Sequence, residues 1–171
     1  MSTTIYLDVD GVLNAITSRP PSEKLTGWTQ WDARRVNSWP IMFSTELIAA
    51  LNELAARPDV SFKWLTTWQA AAATQLSPAL ELEGQEWEAL EGDLHRWGGR
   101  DWWKLRAIRD DATPKEGERF VWIDDDISGE RPAIEWAQSR PDVLAISPSQ
   151  ALGLTRDDLD SLTAFIDQAA G

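Results

Sequence analysis

Cysteine is absent from this 171-residue chain, histidine occurs once, at His95, and lysine only four times. Without thiols there is no disulfide, no thiolate metal site and no cysteine nucleophile, and any imidazole chemistry rests on a single residue. No apolar run approaches the ~18–20 residues that cross a bilayer. The opening MSTTIYLDVD has neither the basic stretch nor the apolar stretch of a secretory signal. The reading is a cytoplasmic protein that engages no membrane. Positive charge is also scarce: 16 Lys and Arg against 28 Asp and Glu leave a net charge of -12. Gripping a long nucleic acid requires a broad basic face, and this chain has no surplus from which to build one. One phosphate can still be held locally, most readily beside a divalent cation.

What is present suits one globular domain spanning residues 1–171. The composition is 43% hydrophobic and 26% charged, and a compact chain of this length buries ~70% of its unfolded surface. Eleven Trp are the one oddity. Trp64 and Trp122 lie in apolar runs and read as core. Trp28, Trp31 and Trp39 lie in a polar stretch and are candidate stacking platforms. For Trp28, Trp31, Trp102 and Trp103 the choice between local packing and a substrate wall stays open.

Along the chain, 4–9 (TIYLDV) reads as a buried strand that leaves the sheet at Asp10 and Gly11. Residues 14–43, with Pro20, Pro21, Gly27 and Pro40, read as a loop or small flap. Ser44 caps a helix whose Leu47, Ile48, Leu51, Leu54 and Ala55 share a face until Pro58. Residues 60–65 make a second strand, 69–76 an Ala-rich helix, and 77–101 an insertion with a short strand at 87–90. A helix follows at 103–111 with Leu105 and Ile108 inward, then a strand at 120–123. Pro132 opens a helix over 132–139, 143–146 is a last strand, and Thr155 caps a helix with Leu159, Leu162, Phe165, Ile166 and Ala169 on one face. Strands alternating with helices predict an α/β, Rossmann-like doubly wound parallel sheet.

Ligands of such a sheet bind beyond the carboxyl ends of its strands. Asp8 and Asp10 end the first strand, Thr66 and Thr67 the second, and Asp124 and Asp125 the third, so these groups converge on one rim. Crowded carboxylates repel one another unless a cation joins them, and hard oxygen ligands without His or Cys suit Mg²⁺. Beside such a metal an Asp can attack phosphorus.

At this point the residues resemble a family. DVDGVLN at 8–14 is similar to the first motif of the haloacid dehalogenase (HAD) superfamily, Thr66 in WLTTW to the second, Lys104 in WWKLRAI to the third, and Asp124 with Asp125 in VWIDDD to the fourth. Together with the late GLT, these strings look closest to small bacterial and phage HAD proteins, among them the HAD domain of Swiss Army knife RNA-repair proteins.

The resemblance implies Asp8 as nucleophile and Mg²⁺ ligand, and Asp10 as general acid and base that also meets the metal through its backbone carbonyl. Thr66, with Thr67 as substitute, would bind the phosphoryl group, Lys104 would neutralise it, and Asp125 with Asp124 would complete the metal site. Because the fourth motif is a triplet, the direct ligand is open by one residue; Asp125 is favoured, with Asp126 as turn or cap. Asp10 favours phosphotransfer over dehalogenation.

Segments 14–43 and 77–101 are each short for a full cap, so a minimal cap or none is expected. An open site of this kind suits a nucleotide, a polynucleotide end or a phosphoprotein, unless an oligomer supplies a lid; the partner expected is a phosphorylated small molecule or a nucleic-acid end. Two other readings are a catalytically silent interaction module and a receiver-like phospho-acceptor. His95 reads as a loop residue, and the sequence leaves the oligomeric state open.

Overall fold

The computed structural model describes residues 2–168. Its centre is β1 (Ser2–Leu7), flanked in a five-stranded sheet by β4 (Val60–Trp64) and β6 (Glu118–Ile123), with β5 (Glu88–Ala89) and β7 (Val143–Ile146) outermost. Every pairing in this sheet is parallel. Strands buried on both faces need apolar residues at successive positions rather than alternate ones, which is the pattern of Ile5, Tyr6 and Leu7 and of Phe120, Val121, Trp122 and Ile123. Successive side chains then divide between two cores. Ile5, Leu7, Val121 and Ile123 pack with α2 (Thr45–Ala55) and α6 (Arg156–Asp167). Tyr6, Phe120 and Trp122 pack with α4 (Trp103–Asp111) and α5 (Arg131–Gln138). The sheet is doubly wound, as the sequence predicts.

Helix ends follow local chemistry. The Ser44 hydroxyl accepts the Leu47 N–H at the start of α2. Thr155 and Asp158 form a reciprocal capping box at the start of α6. Leu159, Leu162 and Ile166 of α6 are buried; Ala169, expected on the same face, lies outside the described residues.

Two stretches differ from expectation. Within 14–43, a short α1 (Glu23–Thr26) precedes an antiparallel hairpin of β2 (Trp31–Val36) and β3 (Trp39–Ser44). Its two-residue turn, Asn37 and Ser38, has φ of 50° and 70°, the positive values that match the twist of paired strands. Pro40 lies within β3, and this two-stranded ribbon consists of edges, where a missing N–H is tolerated. Residues 69–76 are not one α-helix. Gln69 is left-handed at φ 45°, and a π-helical turn over Ala72–Leu76 leads into α3 (Ser77–Leu80).

The order β5-β4-β1-β6-β7 reverses direction at β1. Chain progress runs outward from β1 through β4 to β5, then returns to the other side for β6 and β7. The crevice beyond Leu7 and Ile123 is therefore the topological switch point, where an open α/β sheet binds its ligands.

Candidate active site

Register places the site. Leu7 pairs with Trp64 and with Ile123, so the three strands finish side by side. The ladder extends one step further: the Asp8 N–H donates to the Ile123 carbonyl at 3.0 Å and the Asp124 N–H to the Ile146 carbonyl at 3.1 Å. Asp8 and Asp124 are thus fixed by sheet hydrogen bonds rather than by a free loop.

Between them lies Lys104, in the first turn of α4 and 1% exposed. Its Nζ donates to Asp8 Oδ2 at 2.7 Å and to Asp124 Oδ2 at 2.8 Å. The remaining oxygens are also engaged, Asp8 Oδ1 by the Val9 N–H at 2.7 Å and Asp124 Oδ1 by the Asp126 N–H at 3.1 Å. Asp124, not Asp126, is therefore the capping acceptor of this turn. Asp125 joins from the same loop, so that carboxylate oxygens of Asp8, Asp124 and Asp125 lie within 4.8 Å of one another. Asp126 is exposed and stands outside this group.

Gly11 permits that convergence. Its φ is +74°, and a Cβ there would fall 2.3 Å from Asp125 Cγ. A side chain would be both strained and in collision. Gly153 plays a similar part behind the loop, where a Cβ would meet the Val12 carbonyl at 2.7 Å. The Leu154 N–H then donates to that carbonyl at 2.8 Å, so the GLT string buttresses the loop of the first motif.

Asp10 is held apart from the three carboxylates. Its Oδ1 accepts Asn14 Nδ2 at 2.7 Å and its Oδ2 accepts Trp68 Nε1 at 2.9 Å. Both donors are neutral. The Asn14 amide also accepts the Met42 N–H at 2.9 Å, which ties β3 to the same network. Asn14 and Trp68 stand inside the strings DVDGVLN and TTW, yet a partner 58 positions away, as for Trp68 and Asp10, leaves no local sequence signal.

Thr66 is fully buried beside Asp8, and Thr67 is half-buried at the rim. Trp28, Trp102 and Trp103, left open as substrate walls, are each 2% exposed or less and belong to the cores. Trp28 donates its indole N–H to the Leu154 carbonyl at 2.8 Å. Trp31 packs half-buried against the first core. Trp39 is 66% exposed. His95 is exposed on the 92–98 loop and touches none of this.

Electrostatics follow from burial. Desolvation pushes the Asp8 carboxyl upward, against the pull of Lys104, the Thr66 hydroxyl and the Val9 N–H. Asp124 is driven well above the ordinary carboxylate range by burial and then by Asp8, with Lys104 opposing. Asp125 rises to about 6, through burial first and then the charges of Asp126 and Asp8. Burial alone would lower Lys104, but Asp8 and Asp124 outweigh it and hold the ammonium above its usual value. One ammonium faces three carboxyls, so the cluster calls for protons or a further cation. The donors are all carboxylate oxygen, which fits a hard divalent ion.

A model of the HAD domain in Swiss Army Knife RNA repair proteins matches residues 4–159. The chain belongs to this HAD family. No curated protein and no solved structure matches it. Membership supports hydrolase chemistry of the phosphatase type in general. HAD domains generally use Mg²⁺, and the Asp8, Asp124 and Asp125 cluster is a place where this HAD domain could hold it. Among the described residues no helix is long and apolar enough to cross a membrane.

Proposed function

We propose that this HAD domain is a Mg²⁺-dependent phosphomonoester hydrolase that works through a phosphorylated Asp8, on a nucleotide or nucleic-acid end phosphate. The observation that supports it most is the separation of two aspartates two residues apart. Asp8 is buried against Lys104, while Asp10 is held outside the cluster by two neutral donors. A nucleophilic carboxylate gains from the fixed ammonium beside it, while a group that passes protons to and from the substrate must stand clear of that ammonium, as Asp10 does.

In the first half-reaction an Asp8 oxygen attacks phosphorus, the bond from phosphorus to the ester oxygen breaks, and the Asp10 proton passes to that departing oxygen. In the second, ionised Asp10 takes a proton from water as the water oxygen attacks the phosphorus of the aspartyl phosphate. Inorganic phosphate leaves, and the Asp8 carboxylate and protonated Asp10 are restored. Lys104 keeps its charge throughout; the Thr66 hydroxyl, buried beside Asp8, would turn from that carboxylate to the phosphoryl oxygens, with Thr67, which lines the cavity, as its alternative. Held by Asp8, Asp124, Asp125 and the Asp10 backbone carbonyl, Mg²⁺ would supply positive charge where two anions must meet.

The test is phosphate release from a panel of nucleotides, 3′- and 5′-phosphorylated oligonucleotides and sugar phosphates, with Mg²⁺ or chelator. The expected result is metal-dependent release by the wild type and none above background by Asp8→Asn. Release that survives Asp8→Asn overturns the assignment. No release from any member by folded, Mg²⁺-bound protein overturns the enzyme reading and leaves a silent module.

A further inference from the structure

Two cavities meet at Asp10, Ile16 and Thr67, which line both. The smaller, about 320 Å³, contains Asp8, Lys104 and Asp125. The larger, about 1250 Å³, opens between the β2–β3 hairpin and the loop after β4. We propose that this larger cleft receives the leaving group of the substrate, and that it selects an uncharged aromatic ring carried on a single phosphate.

This rests on the reading of Asp8 and Asp10 as the phosphoryl-transfer pair. Asp8 and Lys104 assign the phosphoryl group to the smaller cavity. Asp10 must then reach the oxygen that departs, so the rest of the substrate lies on the Asp10 side. The side chain that positions Asp10, Trp68, is itself part of the cleft wall.

The lining sets the class of ligand. Asp10 is its one charged side chain, and it has no Lys or Arg. Arg34 belongs to the same hairpin, but its guanidinium is held elsewhere by Asp32, Glu81 and the Ala79 carbonyl. Arg35, at the hairpin tip, donates to the Ser38 carbonyl at 2.9 Å and is not part of the lining. A second phosphate within the cleft would meet no lining cation and would face the Asp10 carboxyl, in a chain of net charge -12. Apolar surface is plentiful instead: Trp39, Trp68, Ile16, Ile41 and Met42, with Asn14 and Asn37 as neutral polar groups. Of the five large apolar side chains left exposed among the described residues, Ile16 and Trp39 stand in this cleft and Trp97 in the smaller cavity. An open indole offers a flat face on which any nucleobase or aryl ring can stack, independent of base identity. A sugar phosphate without an aromatic ring has no flat face to place there.

The experiment compares kcat/KM for adenosine and uridine 5′-monophosphates, adenosine 5′-diphosphate, ribose 5-phosphate and a 5′-phosphorylated tetranucleotide. Wild type, Trp39→Ala and Trp39→Phe are each assayed. Both nucleoside monophosphates should exceed ribose 5-phosphate, and adenosine monophosphate should exceed the diphosphate, by about tenfold each. Trp39→Ala should take about tenfold from the monophosphates through KM and leave ribose 5-phosphate unchanged, and Trp39→Phe should restore most of it. Equal rates on ribose 5-phosphate, equal rates on the diphosphate, or a uniform effect of Trp39→Ala each overturn the proposal. A tetranucleotide that matches the monophosphates identifies a strand end as the source of the ring; a weaker one identifies a free nucleotide. Both of those results presuppose ring selection and support it.

Calorimetric binding to Asp8→Asn protein separates the two levels of inference. If no substrate is hydrolysed, the phosphatase reading fails. The cleft assignment is then upheld by adenosine monophosphate binding that Trp39→Ala weakens, and overturned by binding no tighter than that of ribose 5-phosphate.

Discussion

The two cavities that share Asp10 are built in contrasting ways. At the smaller one, each oxygen of Asp8 and of Asp124 behind it accepts an N–H donor, the lysine between them is 1% exposed, and the positions descend from sheet register. In the larger one the walls are a two-stranded ribbon and a loop, the lining is mostly apolar, and Trp39 is largely in solvent. Charge fixes the first and shape fixes the second. Substitutions in the smaller cavity should therefore disturb stability and the chemical step together, while those in the cleft that do not touch Asp10 should alter only which substrate is handled well.

Lys104→Met tests the charged half most severely. It would leave Asp8 and Asp124 facing each other with no counter-charge, and breaking a buried ion pair from one side costs about 3–5 kcal/mol. Urea unfolding at neutral pH should show a loss of that order, alongside loss of turnover. Trp39→Ala, by contrast, should leave the unfolding midpoint in place. An unchanged midpoint for Lys104→Met would mean that the two carboxyls already share protons and that the lysine is not their main support.

Gly11→Ala comes next. The new methyl carries both a left-handed φ and a contact 2.3 Å from Asp125 Cγ. The backbone strain alone is about 1–2 kcal/mol. The Asp125 side chain has to swing away to relieve the contact, so stabilisation by added Mg²⁺ should shrink as well, a joint effect read by thermal unfolding with and without the ion. Strain without that shrinkage would remove Asp125 from the ion's ligands.

Trp68→Phe acts at the boundary. It keeps an aromatic wall for the cleft but deletes the 2.9 Å hydrogen bond to Asp10 Oδ2. A lost bond to a carboxylate in this setting corresponds to about tenfold in kcat, with KM for ring-bearing substrates nearly unchanged and an altered pH profile. A change confined to KM would make Trp68 a wall and nothing more.

The same contrast marks what the amino-acid sequence discloses. Helix α4 was expected at 103–111 and occurs at Trp103–Asp111, because Leu105 and Ile108 repeat at helical spacing. The meeting of Asp8 with Asp124 and Asp125 is also legible, since parallel strands that end in register must bring their next residues together. The cleft is not. Its hairpin carries Pro40 within a strand and turns on Asn37 and Ser38 without a glycine, so strand propensity alone reads it as a loop. Trp28 and Trp102 have polar neighbours in sequence but are buried by elements distant along the chain, as the Trp28 bond to Leu154 illustrates. Local pattern reveals which residues carry charge to the rim; it does not reveal which neutral side chains turn toward them.

The smallest expected effect, from Asp125→Asn, isolates the charge imbalance of the pocket. Burial and the neighbouring Asp126 and Asp8 raise the Asp125 carboxyl from 3.8 to about 6 in the folded protein. A carboxyl raised on folding favours the folded state fully below its unfolded value of 3.8, and that contribution disappears as pH rises through about 6. Above that pH the ionised group is a net burden on the metal-free fold. Because Asp125 is only half-buried, solvent screening reduces the effect to roughly 1 kcal/mol. In chelator, Asp125→Asn should therefore be more stable than wild type at pH 8 by about that amount, and the advantage should vanish near pH 4. Added Mg²⁺ should reverse the order at pH 8, since only the intact cluster gains from an ion that binds the folded state. Equal stabilities at pH 8 in chelator would show that Lys104 alone balances the aspartates, and the electrostatic distinction between pocket and cleft would lose its main support.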